Sequence, residues 1–329
     1  MRGWRARIGV IYPADGIIDE EFWKLAPPGV SVLLTRITVP EEPMSVQVVT
    51  NVGETEEIEQ ASKALKITRA NAIAYACTSG SFVKGMGWDR EIVMRIEKAS
   101  GTKATTTSTA VIDALRILKI RKVAVAAPYP DDVNKTLTKF LQQNGFEVVA
   151  MKGLGLKYGW DIGNTPQSAV YQHAKSADSS EADGILIPCT AFPTLEIIES
   201  LEEDLGKPVV SANQATMWKA AAFAEGRRSL NNWSKIGSSE LADRSCARGR
   251  SSRSASGGFW LYLNEVEWGP GVYGTEPACH YYYQSSARNI DRERSARLAA
   301  ILPSPLRRRP ERMNHYSELI LERMRQMSW

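Results

Sequence analysis

Continuous apolar runs separated by stretches of helical period fill the first 225 residues. The runs Ile8–Tyr12, Val30–Thr35, Ile73–Ala76, Ala104–Thr107, Lys122–Ala126, Glu147–Met151, Ile185–Pro188 and Val209–Ser211 predict strands. Between them Glu54–Ile67, Arg90–Ala99, Ser108–Leu118, Val133–Asn144, Gln167–Ala177 and Thr194–Leu205 fit helices. Strands that are apolar throughout, without alternation, predict parallel sheets covered on both faces, so the fold class is α/β. Ligands of such sheets bind outside the carboxyl ends of the strands.

The pattern occurs twice. Ala72-Ile73-Ala74-Tyr75-Ala76 stops at Cys77-Thr78, and Gly184-Ile185-Leu186-Ile187-Pro188 stops at Cys189-Thr190. The halves also open alike, Arg7-Ile8-Gly9-Val10-Ile11-Tyr12-Pro13 against Lys122-Val123-Ala124-Val125-Ala126-Ala127-Pro128. After each cysteine a helix-like stretch leads to a short strand, Lys103–Ser108 in one half and Val209–Ala212 in the other. Three matches in one order at an offset of roughly 110–115 residues, about one small domain, read as an internal duplication. Residues 1–112 form the first α/β half and 113–211 the second, with 212–225 expected to pack back on the first. Both Cys-Thr pairs are expected to end a strand and enter a helix, where the helix N-terminus favours thiolate. Two such thiols facing one cleft make a two-base proton-transfer site.

Composition changes near Glu225. Before it there are 24 basic and 27 acidic side chains, mostly Lys among the basic ones; after it 17 against 10, with Lys235 the only Lys. The formal net charge of +4 therefore comes from the end of the chain. Runs such as Arg244-Ser245-Cys246-Ala247-Arg248-Gly249-Arg250 and Arg307-Arg308-Arg309 invite a nucleic-acid reading. The stretch has no repeated motif, though, and a Lys-to-Arg switch is what a changed reading frame in a GC-rich gene produces. Residues 226–329 are thus read as an Arg-rich, disordered or non-native extension, helical only over Ser317–Met327, and nucleic acid is not expected as a partner. No run reaches the roughly 18 apolar residues of a membrane span, and a cytoplasmic protein is the expectation. Four cysteines without a CxxC pair give neither a disulfide scaffold nor a zinc site.

Several motifs, in order and at these spacings, resemble one superfamily. They are Ile11-Tyr12-Pro13-Ala14-Asp15-Gly16, Cys77-Thr78-Ser79-Gly80-Ser81-Phe82, Thr106-Thr107-Ser108-Thr109-Ala110, Pro128-Tyr129-Pro130-Asp131-Asp132-Val133-Asn134 and Cys189-Thr190. Over its first 220 or so residues the chain is similar to the aspartate/glutamate racemase superfamily, in its arylmalonate decarboxylase and maleate cis-trans isomerase branch. The resemblance implies two pseudo-symmetric, Rossmann-like (flavodoxin-like) halves, an active site between them, and no metal or organic cofactor. Arylmalonate decarboxylases have Gly where this chain has Cys77, and keep only the counterpart of Cys189. Two thiols instead match the racemases and isomerases.

The function this implies is cofactor-independent isomerisation or racemisation of a small carboxylate or dicarboxylate by Cys77 and Cys189. The alternatives are a decarboxylase in which Cys189 alone protonates, and a non-catalytic carboxylate-binding protein. Thr78, Ser79, Tyr129 and Thr190 match positions that hold a substrate carboxylate in the decarboxylase branch, while Ser and Thr also serve as N-caps. Pro13 and Asp15 are expected to shape the cleft; the maleate isomerases carry an Asn in this loop. Oligomerisation stays open.

Other signals carry less. His173, the only histidine before the extension, is expected on a solvated helix face, and its isolation disfavours a Ser-His-Asp hydrolase. Gly153–Trp160 lacks the spacing of a phosphate loop and reads as a loop over the cleft, covered by Leu156 and Trp160. Asn213 and Gln214 are expected to touch ligand or cap the next helix.

Overall fold

A computed structural model describes residues 3–226 without a break, and 267–269, 272–287, 289–301, 310 and 313–326 beyond. The chain divides into two units, 1–238 and 239–329.

Within the first unit, strands and helices alternate. The first half contains β1 (Ala6–Pro13), α1 (Glu20–Lys24), β2 (Val30–Ile37), α2 (Val46–Glu54), α3 (Glu57–Ile67) and β3 (Ala72–Tyr75). It continues with α4 (Thr78–Phe82), α5 (Trp88–Ser100), β4 (Ala104–Thr106) and α6 (Thr107–Ile117). The second half has β5 (Lys122–Ala127), α7 (Asp131–Gln143), β6 (Glu147–Gly153), α8 (Gly159–Gly163) and α9 (Gln167–Ala177). Then come β7 (Gly184–Ile187), a 3₁₀ turn (Leu195–Ile197), α10 (Ile198–Leu205), β8 (Val209–Ser211) and α11 (Ala212–Ala224).

Each half builds one four-stranded sheet, in the order β2-β1-β3-β4 and β6-β5-β7-β8. All pairings in both are parallel, β1 meeting β2 from Ala6↔Val30 to Pro13↔Ile37 and β3 from Ile8↔Ala72 to Ile11↔Tyr75. The two orders are the same doubly wound topology, so the expected α/β fold with two pseudo-symmetric parallel-sheet halves is the one observed. The strand order reverses between β1 and β3, and between β5 and β7, which puts a crevice at those carboxyl ends.

Alternating side chains of one strand serve two cores. Ile8 and Val10 join a cluster shared with Val123, Val125 and Leu186 of the second half and with Trp218 of α11, while Ile11 packs with Ile73, Tyr75 and Ile92 on the other face. Helix α11 is buried along most of its length and packs on β1, β3, β4 and α6, returning the chain to the first half. Ser45, Thr106 and Ser211 start α2, α6 and α11 by accepting the backbone N–H three residues on.

Beyond residue 226 the described residues hold more regular structure than the composition suggests. Two short antiparallel strands, Glu267–Gly269 and Val272–Tyr273, precede helices Thr275–Tyr283, Arg292–Ile301 and Asn314–Gln326. Trp268, Ala278, Cys279, Leu298 and Ile301 form their core. The Arg-rich run 244–253 and Arg307–Arg309 lie outside the described residues.

Candidate active site

Two residues beyond the end of β3 stands Cys77, and two beyond β7 stands Cys189. Cys77 is extended (φ −140°) and precedes α4. Its Sγ lies 3.9 Å from Ser79 Oγ, and the Gly80 N–H acts on it. A Cβ on Gly80 would stand 3.1 Å from that sulfur and 2.6 Å from Tyr75 Oη, so only glycine leaves the thiol its room. Ser81 and Ser108, whose hydroxyls meet at 2.7 Å, reach the carbonyls of Cys77 and Thr78 and fix this turn from below.

Cys189 is held differently. No helix follows it: the chain turns through Pro193, and the 3₁₀ turn begins only at Leu195. Its φ is +86°, a conformation that costs an L residue about 1–3 kcal/mol and persists only where neighbours impose it. Those neighbours come largely from the first half. Cys189 N donates to Thr78 Oγ1 (3.2 Å), and Thr190 Oγ1 donates to the Ala76 carbonyl (2.9 Å). Each Cys-Thr pair therefore grips the backbone at the other. The Thr190 carbonyl accepts from Tyr12 Oη (3.0 Å) and Asn213 Nδ2 (3.1 Å). Farther along, the buried Glu21 carboxylate accepts from Thr194 N, Leu195 N and Asn213 Nδ2 at 2.7–2.9 Å.

Electrostatics correct one expectation. Burial pushes the Cys77 thiol up to about 11 and the Cys189 thiol up to about 12. The backbone N–H groups of Gly80 and Ala191 pull the other way, as does Tyr129 at Cys189, but burial outweighs them. Helix termini do not make either a resting thiolate, because α4 has five residues and Cys189 precedes no helix. Asp15 adds to the rise at both sulfurs, and Cys77 adds to that at Cys189, so the thiols are close enough to feel each other's charge.

One cavity of about 500 Å³ gathers every expected site residue: Pro13, Asp15, Cys77, Thr78, Ser79, Tyr129, Cys189 and Thr190. Tyr129 is fully buried, and its hydroxyl makes no hydrogen bond of ordinary geometry among the described residues. Burial, then the charges of the two cysteines, raise it well above the usual phenol value. A buried hydroxyl whose polar neighbours are the Cys189 thiol and Thr78, with no bond of ordinary geometry to either, is suited to a ligand oxygen. Thr78 Oγ1 accepts from Cys189 N and retains its own proton; Thr190 Oγ1 has given its proton to Ala76. Asp15 is half-buried, its carboxyl raised by burial and partly drawn back by its own amide and Arg36.

Secondary expectations fare unevenly. Trp160 lines the cavity, whereas Leu156 packs against the core instead of covering the cleft. His173 is buried, not solvated: its Nε2 lies 3.1 Å from the Ala127 carbonyl, and burial lowers its pKa. Asn213 serves Thr190 and Glu21, and Ser211 is the cap of α11. Sequence reasoning missed Tyr12, Glu21 and the apolar wall of Val39, Val48, Val49 and Val52. Among the described residues no group of three or more His, Cys, Asp or Glu is placed to hold a metal ion, and no helix is long and apolar enough to cross a membrane.

Comparison with known proteins agrees with this geometry. A family model described as arylmalonate decarboxylase matches residues 9–236. The arylmalonate decarboxylase of Bordetella bronchiseptica is 31% identical over 173 residues, covering 52% of this chain and 72% of that protein. A maleate isomerase of Geobacillus stearothermophilus is 25% identical over 170 residues, covering 50% and 68%. A crystal structure of arylmalonate decarboxylase superposes with a TM-score of 0.56 at 27% identity, over 67% of this chain and 93% of that one. Residues 259–325 match a separate model, transglycosylase. There a biosynthetic peptidoglycan transglycosylase of Paraburkholderia phytofirmans is 60% identical over 47 residues, 14% of this chain and only 20% of that protein. The arylmalonate decarboxylase match covers both four-stranded sheets but for the first three residues of β1, and every residue of the cavity, and by it the chain belongs to the arylmalonate decarboxylase family.

Proposed function

We propose that the chain is a cofactor-independent isomerase or racemase of a small carboxylate, with Cys77 and Cys189 as opposed thiols. The observation that carries this reading is their position at equivalent strand ends of two pseudo-symmetric halves, on one cavity. Relatives acting on maleate and on arylmalonates support the substrate class.

In racemisation, the thiolate of one cysteine takes the α-proton. An S–H bond forms as the Cα–H bond breaks, and the electron pair moves into the carboxylate as an enediolate. The opposite thiol then gives its proton to the other face and is left as thiolate. Thr78, Ser79 and Tyr129 donate to the carboxylate oxygens where charge builds. Pro13 and Asp15 form the facing wall, and Thr190 acts by fixing Cys189. In cis-trans isomerisation one thiolate adds to the double bond, the new single bond rotates, and elimination restores the thiolate.

One observation favours a second reading. Both thiols rest protonated, which is the state a decarboxylase needs: carbon dioxide leaves, the electron pair stays as enediolate, and Cys189 supplies the proton. Free thiols persist in a reducing compartment, which supports a cytoplasmic setting. The arylmalonate decarboxylase match ends at residue 236 and the transglycosylase match begins at 259, which favours a segment of another protein joined between them over a shifted frame, with no part in the thiol chemistry.

The test is proton NMR in deuterium oxide with maleate, a chiral 2-aryl propionate, aspartate, glutamate and an arylmalonate. Fumarate formation, or α-deuterium exchange with racemisation, lost in both Cys77→Ala and Cys189→Ala, is the expected result. Carbon dioxide release that survives Cys77→Ala but not Cys189→Ala selects the decarboxylase.

A further inference from the structure

Asp15 is out of place in a cavity that binds anions. Its carboxylate lies on the cavity wall against Gly159, where a Cβ would stand 2.2 Å from Asp15 Oδ2. Among the described residues it forms no ion pair. The neighbouring guanidinium, Arg36, donates instead to the carbonyls of Pro13 and Gly16 and to Asp19. The lining as a whole has the same sign. Asp15, Glu41, Glu42 and Asp161 are four carboxylates, and Lys157 is the one cation among the lining residues.

We propose that Asp15 is a specificity-determining residue that excludes a second carboxylate. The substrate is then a monocarboxylate whose other substituent is uncharged and apolar, seated against Val39, Val48, Val49 and Ile162. This rests on the carboxylate-binding, two-thiol reading above. One carboxylate is satisfied by the neutral donors Thr78, Ser79 and Tyr129. A second, reaching across a cavity of this size, meets Asp15 with no counter-cation placed between them. Like charges about 5 Å apart in a partly buried site repel strongly enough to separate affinities by on the order of tenfold to a hundredfold. The apolar wall offers nothing to a charged group, and a hydrocarbon substituent buries against it.

The experiment is isothermal titration calorimetry of the full chain at neutral pH with phenylacetate, phenylmalonate and maleate. Wild type, Asp15→Asn and Asp15→Ala are compared, each first shown folded by circular dichroism. Wild type is expected to bind phenylacetate at least tenfold more tightly than either dicarboxylate. Both Asp15 variants are expected to close that gap to about threefold by tightening the dicarboxylates. A wild type that takes phenylmalonate as tightly as phenylacetate overturns the proposal, as does a preference that survives both variants or an absence of binding by all three acids. Cysteine-dependent α-deuterium exchange of 2-phenylpropionate, followed on the same samples, separates the two failures. Exchange without discrimination removes the role of Asp15 alone; absence of exchange removes the two-thiol reading beneath it.

Discussion

Deleting the Glu21 carboxylate loosens the loop that carries Cys189 without touching the cavity. Glu21 lies on α1, is 2% exposed, and accepts from Thr194 N (2.7 Å), Leu195 N (2.9 Å) and Asn213 Nδ2 (2.7 Å). In Glu21→Ala the buried donors Thr194 N and Asn213 Nδ2 and the partly buried Leu195 N lose a charged acceptor. A buried donor left unpaired costs about 1–3 kcal/mol, and water entering the vacated volume recovers part of that. The set therefore comes to about 3–5 kcal/mol, in the range found when one member of a buried charged network is removed. For a unit of this size each kcal/mol lowers Tm by about 2–4 °C, so a fall of roughly 10–15 °C follows. Glu21→Gln keeps one carbonyl oxygen for the two backbone donors. Asn213 can turn its otherwise unpartnered Oδ1 to meet the new NH₂, at the cost of its bond to the Thr190 carbonyl, so about half the loss is expected. Thermal and urea denaturation of the three proteins measure this. Peptide mapping after brief alkylation, well below Tm, adds a local readout: Cys189 should label faster in Glu21→Ala while Cys77 does not change. A Tm within 3 °C of wild type, or equal acceleration at both cysteines, refutes the reasoning.

Tyr129→Phe removes a buried hydroxyl that makes no hydrogen bond of ordinary geometry, so stability should hold within about 1 kcal/mol while turnover falls at least tenfold. Urea denaturation beside kcat checks both, and a destabilisation above 1 kcal/mol contradicts the view that this hydroxyl waits for a ligand. Burial raises both thiols above the ordinary 9.0, so their contribution to stability is present below pH 9 and is lost as pH rises through about 11 and about 12. Iodoacetamide at neutral pH should therefore label either thiol at least tenfold more slowly than free cysteine, with rates still climbing past pH 9; a plateau below pH 9 contradicts the raised values.

The sheets were legible because the central strands, buried on both faces, are apolar runs, and the edge strands β2 and β6, though only partly buried, are apolar as well; all eight appear within about two residues of their expected ends. Helix α2 was not, since Val46, Val48, Val49 and Val52 look like strand residues; the pocket wall that Val48, Val49 and Val52 build stayed invisible with it. Helix α4, Thr-Ser-Gly-Ser-Phe, has no apolar period to detect. Pro193 was a usable signal that no helix begins directly after Cys189. So was the spacing Val170, His173, Ala174, Ala177, which puts His173 on the buried stripe of α9. The Cys-Thr pairs were readable as site residues from their context. Their mutual grip was not, nor was Glu21, whose partners lie 173 to 192 residues away. The thiolate expectation failed because a short helix terminus is a local effect, whereas burial depends on everything the fold brings around the sulfur.

On the proposed two-thiol mechanism, Cys77 and Cys189 serve opposite faces of one carbon. A single enantiomer of a chiral 2-aryl propionate, incubated with the protein in deuterium oxide and sampled at low conversion, tests it most directly. Deuterium is expected in the inverted product and almost none in the recovered starting enantiomer, with inversion abolished by either Cys77→Ala or Cys189→Ala. Inversion that continues in one of those variants, or deuterium appearing equally in both enantiomers from the start, contradicts it.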